Sequence, residues 1–143
     1  MLDETRRTNM DKSLRAKGEE IRRAVLGDAY VDAALSNADD FSMPFQDVLN
    51  EYCWGMGWTD QGLSLQQRSL LNLGMLAALG RMHEFKVHFR GAMRNGLSDA
   101  ELRAALIQIG IYCGVPAAVE AFRVARTVRE EMAAEAAGGD MPL

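Results

Sequence analysis

Two tetrads in this chain read as entrances to helices. Ser64-Leu65-Gln66-Gln67 and Ser98-Asp99-Ala100-Glu101 each place a serine at the cap and a Gln or Glu three residues later. That is the capping-box pattern, in which side chains satisfy the first free backbone N–H groups of a helix. The first opens a run through RSLLNLGMLAAL that Gly80 is placed to end, and the second a run to about Cys113. Between them, Met82 to Asn95 reads as a helix stopped by Gly96. Gly114-Val115-Pro116 breaks the chain again, with Pro116 suited to the first turn of a last helix to about Ala136.

Upstream, Leu14, Ile21 and Val25 mark a helix from Asp11 to Leu26, with Gly27 as its stop. A short second helix starts with Asp28 as cap and runs to about Ala38. A third begins near Ser42 and is expected to end in CWGMGW, where Gly55 and Gly57 break helical propensity. No stretch alternates with the period of two that a strand needs. Three prolines against nine methionines fit the same reading. The expectation is one all-α domain of six or seven helices over residues 11–136. Residues 1–10 read as a flexible leader and 137–143 as a loose tail.

Several function classes fall away on composition. Sixteen Lys and Arg against twenty Asp and Glu give a net charge of −4, without the basic excess that nucleic acid selects. The longest apolar stretch, residues 70–80, is too short to cross a bilayer. The charged N-terminus lacks a secretory apolar region, so a cytoplasmic location is expected. Two cysteines, Cys53 and Cys113, show no CxxC and read as buried free thiols.

Chemistry concentrates in GRMHEFKVHFRGAMRNG. If the helix extends back to Arg81, then Arg81, Glu84 and His88 fall on one face, beside an apolar stripe of Phe85, Phe89 and Ala92. A carboxylate one turn from an imidazole orients it and raises its pKa, as a general acid or base requires. A surface i,i+4 pair has the same spacing. His83 lies off that stripe. The pair His83 and His88 is i,i+5, unlike the i,i+4 histidines of HExxH, so the spacing does not favour a metal site. Arg68, Arg81, Arg90 and Arg94 read either as an anion site or as solvated and bridging arginines. Tyr52, Trp54 and Trp58 read either as core aromatics or as a substrate platform.

The blocks EYCWGMGW (51–58), GLSLQQRSLLNLGMLAALGRMHEFKVHFRGAMRNGLSDAELRAALIQ (62–108) and YCGVPAAVEAF (112–122) resemble the carboxymuconolactone decarboxylase family. The upstream KGEEIRRAVLGDAYVDAA (17–34) resembles the leading helices of its decarboxylase branch. The resemblance implies an alkyl hydroperoxidase D-like helical fold, commonly assembled as trimers or hexamers. It implies a decarboxylation without metal or organic cofactor, on a small lactone carboxylate, in aromatic degradation toward β-ketoadipate. Thiol peroxidases of the superfamily carry a CxxC where this chain has Arg81 and Glu84, so that chemistry is not expected.

On this resemblance His88 is the proton donor, with Glu84 orienting it and keeping it protonated. His83 is a donor to the lactone or a carboxylate, and Arg81 with Arg68 binds the substrate's charge. Trp54, Met56 and Trp58 form an apolar lining. Met56 stands where the branch carries a glutamate, which leaves open a divergent enzyme acting on another small lactone or carboxylic acid. A non-catalytic helical oligomer is a third reading.

Overall fold

Gly80 and Gly96 take φ of 70° and 90°, a conformation open to glycine and costly for other residues, and each closes a helix as its sequence position suggests. The computed structural model describes residues 4–138, with side chains from residue 13 onward. Among these residues there are seven α-helices, one π-helical segment and no strand. The helices are α1 (Glu4–Leu26), α2 (Asp28–Ser36), α3 (Met43–Val48), α4 (Leu65–Ala78), α5 (Met82–Arg94), α6 (Asp99–Cys113) and α7 (Val115–Gly138). The π-helical segment, Leu49–Trp58, continues directly from α3.

The contacts gather into two compact units, residues 1–65 and 66–143. In the first, α1 packs against the π-helical segment, and Val25, Leu26, Val31, Trp54 and Trp58 are buried. The two tryptophan rings stack with centroids 4.8 Å apart. In the second, Leu73 and Ala77 of α4, Phe85, Phe89 and Ala92 of α5, Leu102 and Leu106 of α6 and Ala125 and Val128 of α7 form one apolar cluster.

The structure corrects three local expectations. Helix α1 begins at Glu4, seven residues before Asp11, because residues 4–10 contain no Gly or Pro and an existing helix extends at little cost. Residues 1–3 of the expected leader, and 139–143 of the expected tail, lie outside the described residues. Asp28 is the first residue of α2 and Gly27 takes the cap position, leaving the Asp28 carboxylate to Arg23 at 3.3 Å.

The third correction concerns Gly55 and Gly57. The helix passes through both in π form, and Gly55 serves as a contact point with α1. A Cβ at Gly55 would stand 2.7 Å from the Leu14 carbonyl oxygen, and one at Gly18 would overlap the Asn50 carbonyl oxygen. Two glycines thus let two backbones approach where any side chain would hold them apart.

The capping box at α6 is complete. Glu101 N–H donates to Ser98 Oγ at 3.1 Å, and Ser98 N–H donates to Glu101 Oε2 at 2.8 Å. Replacing Ser98 by alanine is expected to lower stability by about 1 kcal/mol. The check is a lower urea midpoint with an unchanged m-value.

Candidate active site

Helix α5 sorts its residues by face. Phe85, Phe89 and Ala92 are buried in the second unit's core, with the two rings 6.1 Å apart. His88 sits at the edge of this face and is half-buried, while His83 and Glu84 are exposed. Gly80 ends the preceding turn, so α5 starts at Met82. Arg81 is its cap residue, with φ −87° and ψ 69°. The regular stripe therefore joins Glu84 to His88 and stops short of Arg81, whose side chain is exposed. In the single chain Arg81 and Glu84 open to solvent, not to a closed pocket.

Burial pushes the His88 imidazole below the usual histidine range, and the Glu84 carboxylate, acting the other way, offsets only part of this. The expectation that Glu84 keeps the ring protonated is corrected: near neutral pH the resting ring is neutral. Desolvation wins because His88 borders the phenylalanine face, whereas Glu84 is exposed and its field is screened by water.

Asn72 of α4 approaches the same ring, its Nδ2 3.5 Å from His88 Nδ1. Sequence reading passed over this contact, although a polar residue inside LLNLGMLAAL was a visible signal for it. Arg68 lies one helical turn before Asn72 on α4 and is half-buried. The second unit thus supplies a half-buried imidazole, an amide beside it and a carboxylate one turn away. Arg90 belongs to the framework, since it pairs with Glu131 at 2.6 Å and Glu135 at 2.7 Å across α5 and α7.

In the first unit the expected apolar lining is divided. Trp54 and Trp58 are buried in their stack, whereas Met56, between them, is exposed. Both cysteines are exposed and free rather than buried. Cys53 lies beside exposed Tyr52 on the outer side of the π-helical segment, and Cys113 ends α6. Among the described residues, no group of three His, Cys, Asp or Glu side chains could hold a metal ion. No described helix is long and apolar enough to cross a membrane.

An imidazole shifted by burial, one helical turn from a carboxylate on an all-α scaffold, is a candidate acid–base group. The carboxymuconolactone decarboxylase family matches this chain over residues 44–127, and the chain belongs to that family. It is 36% identical over 132 residues to the nitrosuccinic acid decarboxylase of Metarhizium robertsii, spanning 92% of each chain. It is 34% identical over 122 residues to the 4-carboxymuconolactone decarboxylase of Acinetobacter baylyi, spanning 85% of this chain and 91% of the other. The enzyme class is accordingly carboxy-lyase.

Proposed function

We propose that this enzyme decarboxylates γ-carboxymuconolactone, or a closely related lactone acid, to β-ketoadipate enol-lactone and carbon dioxide. The similarity to a 4-carboxymuconolactone decarboxylase over most of both chains carries this reading. Such a substrate is its own electron sink. As the C–C bond to the carboxylate breaks, its electron pair passes through the ring alkene into the lactone carbonyl. The resulting 2-oxyfuran-like anion takes one proton on the carbon next to the carbonyl, and no metal or organic cofactor is called for.

The chain must then hold an anion and deliver a proton. Arg68 and Arg81 are the cations assigned to the substrate's carboxylates, and His83 is a further donor. His88 is the acid. It is neutral at rest, and the arriving carboxylates raise its affinity for a proton, so that binding charges it. Glu84 and Asn72 position the ring.

The relative from Metarhizium robertsii favours a second reading, a substrate of the nitrosuccinate type. A nitro group beside the leaving carboxylate accepts the electron pair as a nitronate, so the demands on the protein are the same. Carbon dioxide release from each acid by the purified enzyme decides between them. Release from the lactone supports the first reading, release from nitrosuccinate alone moves the assignment to the second, and release from neither overturns both.

The enzyme is further proposed to be a homo-oligomer, a trimer or hexamer. Leu71 and Met75 of α4, with Leu79 just past its end, form an exposed apolar stripe, and Ile111, Tyr112 and Val115 expose another apolar patch where α6 meets α7.

A further inference from the structure

The first unit distributes its carboxylates in an unexpected way. Among its described side chains helix α1 carries Arg15, Arg22 and Arg23, and the least exposed of these receives no carboxylate from the described residues. Arg23 is bonded to Glu19 at 3.0 Å, Asp28 at 3.3 Å and Asp32 at 2.7 Å. Arg15 reaches Glu51 at 3.2 Å and Asp47 at 3.8 Å. Arg22 is only 4% exposed, and its partners are two neutral amides. Its Nη1 donates to Gln46 Oε1 and Asn50 Oδ1, both at 3.0 Å, and its buried Nε has no acceptor among the described residues.

A buried charge is normally paired, because removing an ion from water without compensation is costly. Here an acidic partner is one isosteric change away, since Glu and Asp have the shapes of Gln and Asn. The neighbouring positions Asp47 and Glu51, each one residue along the chain, do carry acids, and they serve Arg15. The chain therefore surrounds its buried guanidinium with groups that satisfy geometry and leave the charge in place.

Donors dominate the remaining hydrogen-bonding capacity of the cluster. Each amide oxygen already accepts from Nη1, and the NH2 groups of Gln46 and Asn50 are donors. The free edge of the guanidinium is also donor-only. Tyr30, Glu19, Arg23 and Cys53 are among the titratable groups near enough to act on its charge. The Glu19 carboxylate is committed to Arg23.

We propose that Arg22, with Asn50 and Gln46, is a binding site for a small carboxylate, which supplies the counter-charge that the fold withholds. A carboxylate presents two oxygens in one plane and matches the guanidinium fork, forming short charge-assisted bonds. The proposal stands on the first unit alone and does not require the decarboxylation assigned to His88.

The test is thermal unfolding of the full chain in succinate against sodium chloride of equal ionic strength, with inorganic phosphate as a third arm. Succinate at a hundred times its Kd is expected to raise the wild-type Tm by roughly 5–10 °C, saturably. Arg22→Met should lose that response. Asn50→Asp, which installs an internal counter-charge, should also lose it while melting higher than wild type without ligand. His88→Ala should keep it. An absent wild-type response, or an equal response in wild type, Arg22→Met and Asn50→Asp, overturns the proposal. A phosphate response as large as that to succinate overturns the choice of carboxylate as ligand.

Discussion

Replacing His88 by alanine is expected to lower kcat by roughly 10²–10⁴-fold, the range over which a positioned acid or base contributes. The pH profile of the wild type should identify the protonated ring as the active form. Burial holds the imidazole below its usual value, so the protonated fraction of free enzyme shrinks steadily above that lowered pKa. Log kcat/KM should therefore fall with a slope near −1 through neutral pH, from a break below pH 6.5. The profile of kcat should break at a higher pH, because bound carboxylates favour the charged ring. Steady-state rates between pH 5 and 8 supply both curves. Flat profiles, or a fast His88→Ala enzyme, would remove His88 from the proton transfer.

The same shift has a stability consequence of defined sign. A histidine whose pKa is lower folded than unfolded binds more protons when unfolded. Its contribution to stability is present above pH 6.5 and is lost as pH falls through that value toward the folded pKa.

The largest stability loss should come from a single methyl group at Gly18. Alanine there would collide with the backbone carbonyl of Asn50, and a backbone atom cannot rotate aside as a side chain can. Gly18→Ala is expected to cost about 3 kcal/mol or more and to lower Tm by roughly 10 °C. Gly74→Ala is the matched control. Gly74 lies inside α4, and an added Cβ there meets nothing within 4 Å. That substitution should stabilise by about 0.4–1 kcal/mol through the entropy of the unfolded chain. Calorimetry on the two variants separates close approach from conformational freedom. Equal and small effects would show that α1 and the π-helical segment have room to spare.

Those two glycines show what was legible in the sequence. Where glycine acts on its own backbone, as at Gly80 and Gly96, local reading finds the helix end. Where it acts on another backbone, its partner lies elsewhere in the chain, and the Gly18–Gly55 crossing cannot be seen from CWGMGW alone. The site divides in the same way. Helical spacing joined Glu84 to His88 and placed the apolar stripe beside them. Spacing carries no measure of burial, however, so it gave the sign of Glu84's influence and missed the larger desolvation that opposes it. The expected start at Met82 holds. Arg81 joins the stripe only if the helix extends back to it, which it does not because Arg81 is the cap residue after positive-φ Gly80. Asn72 was visible but unassigned, since its contact requires knowing that α4 and α5 pack at that level.

The division into units bears on how the chain is made. Arg15 bonds to Glu51 and Arg22 to Asn50, so these partners of α1 lie within its own unit. The bridges from Lys86 and Arg90 wait for Glu131 and Glu135, 41 to 45 residues further along the chain. A nascent chain can therefore bury its two tryptophans while α6 and α7 are still inside the ribosome. Both tryptophans lie in the first unit, so tryptophan fluorescence reads the burial of that unit and not the α5–α7 pairing.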